Sequence, residues 1–178
     1  MDLKNLQLVE FGNDMLKRQP ASFDFEKYNA EEVGKALMKK QLELNGAGLS
    51  ANQVGLDMQV FTFGDGKDLV RYIINPEVVD LSDETVIMRE GCLSLPGVWL
   101  NLKRPTSVTA RYQRTDGSWA TETFTELAAR VFLHEYDHML GQNFTQRASK
   151  LKLDMALKRI KTKVKNNGLR LQKANRLL

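Results

Sequence analysis

The chain contains one cysteine and two histidines, and their spacing could hold a metal ion. His134 and His138 are four residues apart, and Glu135 directly follows the first of them. On a helix this spacing places both imidazoles on one face, where they can bind the same ion. Cys92, which lies 42 residues before His134, offers a thiolate as a third ligand. Three protein ligands leave one coordination position open, which is typical of a catalytic metal site.

These residues predict a metal-dependent hydrolase. A metal in this site would make water acidic enough to ionise near neutral pH. Glu135, beside a predicted ligand, could accept the proton and later deliver it to a departing amine. Attack on a carbonyl carbon also creates an oxyanion, which requires preorganised hydrogen-bond donors.

Two other functions fit part of the pattern. A zinc peptidase with the same helix motif would normally have a downstream Glu or His as third ligand, and Asp154 is the only acid after the motif. A basic RNA- or ribosome-binding module with structural zinc would normally have four Cys or His ligands, whereas this chain has three. Cys92 taken alone favours a small buried apolar residue over a metal ligand.

Composition is that of a folded domain in a reducing compartment. With 178 residues and 42% hydrophobic content, one globular domain with a proper core is expected. A single cysteine excludes an intramolecular disulfide framework. The first residues lack the apolar segment of a signal peptide, and no run approaches the length of a membrane span. We therefore expect a cytoplasmic protein without membrane contact, and a monomer.

Charge is distributed unevenly along the chain. The net charge is +4, but residues 149–178 contain seven Lys, three Arg and one Asp. The preceding 148 residues have 16 basic and 21 acidic side chains. Such a basic tail could meet a polyanion such as the ribosome, with Lys158, Arg159, Lys161, Lys163 and Lys165 on the polar side of a helix. The alternative is a solvated amphipathic helix.

Hydrophobic periodicity predicts one α+β domain. Helices are expected over residues 23–44, from a capping box at Thr123 to Glu126 as far as Gly141, and after Ser149 until a break at Asn167-Gly168. The β-prone runs between them are residues 60–63, 70–74, 86–88, 108–112 and 119–124, separated by turn signals that include Asn75-Pro76. We expect antiparallel or mixed sheets around the central histidine-bearing helix. Residues 1–148 would form the catalytic domain, and residues 149–178 a helical extension without its own core.

Residues 46–53, Gly-Ala-Gly-Leu-Ser-Ala-Asn-Gln, form a third informative segment. The pattern formally fits a dinucleotide-binding fingerprint, but it follows a helix instead of a strand, and Val54-Gly55 discourages a helix start. Glycines also let a backbone pass close to another chain or a ligand. Gln53 could then place a neutral amide donor in a site, whereas a simple turn is the alternative.

Three segments together resemble the signature motifs of peptide deformylases, in the same order and at similar spacing. They are residues 46–53, residues 90–94 (Glu-Gly-Cys-Leu-Ser) and residues 134–138. The resemblance implies removal of the formyl group from N-formylmethionyl nascent peptides. It also implies a ferrous ion held by the three predicted ligands, with zinc, nickel or cobalt able to substitute. Ser50 departs from the motif, where alanine is usual.

The resemblance extends to further site residues. It implies that the oxyanion is bound by the metal, the Leu93 N–H group and the Gln53 amide. It implies a methionine pocket formed with His134 by Ala47, Gly48, Met88, Leu127 and Val131. Around the ligands we expect Glu90 to contact a metal ligand without touching the metal itself, and Asp137 to pair with Arg104 and steady the helix.

Overall fold

The computed structural model describes the backbone of residues 2–174 and the side-chain environments of residues 2–162. In chain order its helices are α1 (Ala30–Glu43), α2 (Glu126–Met139) and α3 (Lys150–Ala174). Its strands are β1 (Gly48–Ser50), β2 (Val60–Gly64), β3 (Val70–Leu81), β4 (Thr85–Cys92), β5 (Leu95–Pro105), β6 (Ser107–Gln113) and β7 (Trp119–Thr125). The predicted α+β class is confirmed.

The strands form two sheets, and every described pairing is antiparallel. One sheet has five strands in the order β1-β2-β3-β6-β7. The second is the β4-β5 hairpin, inserted in the chain between β3 and β6. Helix α2 packs on the large sheet through Phe132, which contacts Phe61 and Phe124. Helix α2 carries His134 and His138, and Cys92 lies at the end of β4 in the second sheet.

Helix α1 is shorter than the predicted range of residues 23–44. It begins at Ala30 because the Asn29 side chain accepts a hydrogen bond from the Glu32 N–H group, as an N-cap does. Residues 23–29 form turns instead. The helix ends where predicted, since Asn45 adopts a left-handed φ of 54° directly after it.

The β4-β5 hairpin was only partly predicted, because β5 is absent from the predicted strands. Its burial alternates, with Val98, Leu100 and Leu102 buried and the residues between them exposed. Pro96, Gly97 and the basic residues near its end obscure this alternation in the sequence. The predicted turn at Asn75-Pro76 is also wrong. Both residues lie inside β3, where the register shifts at a bulge and Asn75 has a φ of 49°.

Helix α2 begins without the predicted capping box. Strand β7 continues through Thr125, so Thr123 is paired in the sheet instead of capping a helix. The turn into α2 is abrupt, with Glu126 at a φ of 52° and its N–H group donating to the Thr106 carbonyl. The helix ends where predicted, because Gly141 takes the left-handed conformation that follows a helix C-terminus.

Helix α3 starts where predicted and packs its first turns on the hairpin. Leu153, Ala156, Leu157 and Ile160 contact the cluster around Val98 and Phe144. The predicted break at Asn167-Gly168 is wrong, since the helix continues to Ala174. A glycine costs a helix only about 1 kcal/mol relative to alanine, and the strong helix formers Leu169, Arg170 and Leu171 follow this one. The predicted side-chain roles of Lys163 and Lys165 lie outside the described residues, as do residues 175–178.

The helices of residues 2–174 are too short or too polar to cross a lipid bilayer.

Candidate active site

The three predicted metal ligands meet inside the fold. Cys92 is the last residue of β4, and His134 and His138 lie one turn apart on α2. Their ligand atoms all lie within 4.8 Å of one another, and all three residues are buried. The Cys92 Sγ atom is 3.4 Å from His138 Nε2. One thiolate and two imidazoles fit a zinc or ferrous ion, so the residues present suit the implied metal.

Glu90 fixes the orientation of His134. Its Oε1 atom is 2.7 Å from His134 Nδ1, which leaves Nε2 to face Cys92 and His138. Burial raises the pKa of Glu90, but hydrogen bonds from His134 and Arg104 outweigh that effect and hold the pKa well below its ordinary value. An ionised carboxylate on the far nitrogen sets the tautomer of a metal-binding histidine and increases its basicity.

The two histidines have opposite electrostatic environments. Burial, reinforced by the charges of His134 and Arg104, lowers the pKa of His138 to about 3, so His138 is neutral as a metal ligand must be. Burial also lowers the pKa of His134, but contacts with Cys92 and Glu90 outweigh it and raise the pKa to about 10. Both imidazoles must be neutral to bind a metal, so metal affinity will fall in acid.

Arg104 joins the two carboxylates that surround the metal ligands. Its side chain is almost fully buried, with Nε 2.9 Å from Glu90 Oε2 and Nη1 2.9 Å from Asp137 Oδ2. Arg147 contacts the same Asp137 from the surface, with Nε 2.6 Å from Oδ2. The predicted partners Asp137, Arg104 and Glu90 therefore form one buried ionic cluster that ties β4, β5 and α2 together.

Glu135 directly follows His134 on α2 and is buried. The Ser50 hydroxyl donates a hydrogen bond to its Oε2 atom. Burial raises the pKa of Glu135 above its ordinary value, although the charge of His134 and the Ser50 hydrogen bond act in the other direction. A carboxyl group with a raised pKa is suited to accept and return a proton near neutral pH. Gly48 allows this position, since an added Cβ would lie 2.6 Å from Glu135 Oε1.

Gln53 is held with its amide nitrogen toward the ligands. Its Oε1 atom accepts from the Ser50 N–H group at 3.0 Å, so Nε2 points the other way. Nε2 lies 3.3 Å from Cys92 Sγ and 3.0 Å from Ser94 Oγ. The segment that carries Gln53 is a short strand followed by a 3-10 turn, so the dinucleotide-binding interpretation fails on structure as well as sequence.

A cavity of about 520 Å³ opens onto these groups. Its walls include the predicted pocket residues Ala47, Gly48, Leu127 and Val131, together with Gln53, Cys92, Leu93, His134 and Glu135. Met88 is half-buried in β4 and does not line this cavity. The structure therefore does not bring Met88 together with the other predicted pocket residues. The cavity is mostly apolar near Leu127 and Val131, which is suitable for an unbranched apolar side chain.

Two site residues were missed in the sequence. Ser50 was noted as unusual, but nothing in the sequence shows that β1 brings its hydroxyl to Glu135. Arg130 lies one helical turn before His134, and its guanidinium is 3.3 Å from Glu90 Oε2 and 3.0 Å from the Leu102 carbonyl. The four-residue spacing from His134 to Arg130 was a signal for a shared helix face.

Comparison with known proteins agrees with this geometry. Residues 5–154 match the family model described as polypeptide deformylase. The chain is 34% identical to a peptide deformylase of Pseudothermotoga lettingae over 142 residues, which cover 80% of this chain and 81% of that protein. It is 34% identical to the chloroplastic/mitochondrial peptide deformylase 1B of Arabidopsis thaliana over 155 residues, 84% of this chain and 56% of that longer protein.

A solved structure shares the fold. The peptide deformylase of Synechococcus elongatus, in complex with actinonin, superimposes with a TM-score of 0.81 at 28% identity over 86% of each chain. The family match covers most of this chain and includes all three predicted ligands, Glu135 and Gln53. The chain belongs to the polypeptide deformylase family.

Proposed function

We propose how the residues of this chain remove the formyl group from N-formylmethionyl peptides. Cys92, His134 and His138 hold a divalent metal, and Glu135 is the general base and acid. The observation that carries the assignment is the position of Glu135, which is buried, lines the cavity and directly follows His134, one of three residues whose ligand atoms lie within 4.8 Å of one another.

A metal held by Cys92, His134 and His138 would act as a Lewis acid and make water in the site easier to deprotonate. Glu135 accepts a proton from the attacking water while the water oxygen bonds to the formyl carbon, and its raised pKa makes the carboxylate a stronger base for that step. The proton then passes to the departing amine nitrogen as the carbon–nitrogen bond breaks, which leaves formate and a free amino terminus. Ser50 holds the carboxylate in one orientation during both transfers.

Gln53 and Leu93 are proposed as donors to the developing oxyanion. The Gln53 amide is fixed by the Ser50 N–H group, so little reorganisation is needed when charge develops. The Gln53 Nε2 atom donates to Cys92 Sγ and Ser94 Oγ, so it lies within hydrogen-bond reach of a predicted metal ligand. A neutral amide donates without adding a charge that would disturb Glu135. The methionine side chain would lie against Leu127 and Val131.

We propose iron(II) as the active metal, with zinc, nickel or cobalt able to substitute. Ligand softness suits iron and zinc about equally, and the resemblance to deformylases favours iron. The test is formate release from an N-formylmethionyl tripeptide by anaerobically prepared protein loaded with either metal. We expect formate and free amine in equal amounts, with faster turnover and air sensitivity for the iron form.

An internally cleavable peptide without a formyl group serves as the control in that assay. Cleavage of this peptide would support the zinc-peptidase alternative, and absence of formate with every metal would refute the deformylase roles. Equal rates of the iron and zinc forms, with equal stability in air, would refute the iron assignment alone.

We also propose that α3 brings the enzyme to the ribosome. Its apolar side packs on β5 through Leu153, Leu157 and Ile160, while Lys158, Arg159 and Lys161 are exposed. Basic side chains on one exposed helix face can neutralise phosphates without reading sequence, and such binding weakens steeply with salt.

We further propose a cytoplasmic monomer, since a free thiolate ligand is best preserved in a reducing compartment.

Charge reversal tests the ribosome proposal without removing the helix. Replacing Lys158, Arg159 and Lys161 with Glu should abolish low-salt cosedimentation with ribosomes while leaving tripeptide turnover unchanged. Lys35→Glu with Lys39→Glu, on the exposed face of α1, is the matched control. Equal cosedimentation of the wild type and the α3 variant would leave α3 as a solvated helix.

A further inference from the structure

An arginine and a tryptophan form the outer wall of the cavity. The Arg89 guanidinium carbon lies 4.8 Å from the centre of the Trp99 ring, as in a cation–π contact. The ring crosses over Gly91, where an added Cβ would come within 3.0 Å of a ring carbon. Gly91 thus leaves room for the ring, and the ring holds Arg89 beside the cavity.

Arg89 differs from the other charged residues of this cavity. Glu90 is neutralised by Arg104 and Arg130, and Glu135 receives the Ser50 hydrogen bond. Among residues 2–162, Arg89 forms no ion pair and no side-chain hydrogen bond, and it is exposed to solvent. Its charge is therefore available to a molecule that enters the cavity.

The position of Arg89 sets which part of a substrate it can meet. Arg89 lies three residues before Cys92 on the same strand, which is about 10 Å at ~3.3 Å per residue. An extended peptide rises by a similar distance per residue. With its formyl group at the metal ligands, a peptide would bring roughly its third residue level with the guanidinium.

We propose that Arg89, positioned by Trp99, binds a carboxylate near the third residue of the substrate and makes the enzyme prefer peptides that are acidic there. The inference rests on the deformylase function and deepens it into a sequence preference. The carboxylate can belong to an Asp or Glu side chain, or to the free C-terminus of a short peptide.

The test compares formyl-Met-Ala-Xaa tripeptides in which the third residue is Asp, Ala or Lys, each with an amidated C-terminus. Exposed ion pairs of this kind change binding by about two- to fivefold. We expect kcat/KM to fall in the order Asp, Ala, Lys, and the three peptides to differ in KM while kcat stays similar. The preference should be lost at high salt, because salt screens exposed charges. Formyl-Met-Ala-Ala with a free carboxylate, against its amide, measures the contribution of a C-terminal charge separately.

Arg89→Gln should bring the Asp-to-Lys ratio close to one, and Arg89→Lys should retain part of it. Trp99→Ala should reduce the ratio although the arginine is still present. Because the ratio is taken within each variant, a general loss of activity cancels. Arg111→Gln is the matched control, since Arg111 is stacked on Trp119 at 4.0 Å in the large sheet, away from the cavity lining.

An unchanged Asp-to-Lys ratio in Arg89→Gln would overturn the proposal, as would an equal loss of the ratio in Arg111→Gln. A full ratio in Trp99→Ala would overturn the positioning role of the tryptophan. Turnover of the alanine peptide by the wild type distinguishes these results from failure of the deformylase function itself.

Discussion

Arg104→Met tests the buried ionic cluster that supports the metal ligands. Methionine keeps much of the side-chain volume but removes the charge that Glu90 and Asp137 both contact. Removing one partner from a buried pair costs about 3–5 kcal/mol. We expect the lower half of that range, because Arg130 still contacts Glu90 and Arg147 still contacts Asp137. For a chain of this size, about 3–4 kcal/mol corresponds to a fall in Tm of roughly 6–16 °C.

The assay is urea unfolding of wild type and variant with a chelator present, so that metal binding does not add to the free energy of unfolding. The pH dependence has a defined sign. In the wild type the pKa of Glu90 is lowered, so its stabilisation is present above the ordinary value of 4.5 and is lost as the pH falls below it. In the variant, burial without Arg104 favours the protonated carboxyl. The two proteins should therefore differ most at neutral pH and converge in acid.

Arg147→Met is the matched control, since it removes a second contact to Asp137 from a side chain that is 42% exposed. Exposed pairs are worth about 1 kcal/mol or less. A cost of Arg104→Met no greater than that of Arg147→Met would contradict the stabilising role of Arg104, as would the same cost of Arg104→Met at pH 4 and pH 7.

Three further substitutions probe the catalytic groups. Gln53→Ala should lower kcat by about 10²–10³-fold with little change in KM, as expected for loss of an oxyanion donor; a change in KM alone would make it a binding residue. Gly48→Ala should abolish most formate release while metal content stays normal, because the new Cβ would lie 2.6 Å from Glu135 Oε1; normal turnover would show that Glu135 can move without cost. Ser50→Ala removes a hydrogen bond that lowers the pKa of Glu135, so the acid limb of the kcat/KM profile should move to higher pH; an unmoved or lower limb contradicts the assignment.

The metal ligands could be predicted from sequence because their chemistry depends on residue type and local spacing. The four-residue interval between His134 and His138 needs only a helix to become a shared face, and that helix is present. Cys92 was identified because it is the only thiol in the chain and because residues 90–94 resemble a deformylase motif, although it lies 42 residues before His134. Its approach to the histidines depends on the β4-β5 hairpin, whose second strand was missed.

Other parts of the site depend on tertiary contacts without a local signal. Ser50 meets Glu135 only because β1 pairs with β2 at the edge of the sheet and α2 crosses it. Arg89 faces the cavity because Gly91 admits the Trp99 ring. The turn assigned to Asn75-Pro76 failed because the long strand β3 absorbs both residues in a bulge. At Asn75-Pro76, strand pairing with distant segments overrode the local turn propensity.

Glu135→Gln, examined for metal content and formate release in the same preparation, tests the central assignment most directly. The amide keeps the shape of the buried side chain and can still contact Ser50, but it cannot accept and return a proton. We predict one metal per chain, as in the wild type, together with a loss of formate release of about 10²–10⁴-fold. Near-normal formate release by the metal-replete variant would contradict the role assigned to Glu135.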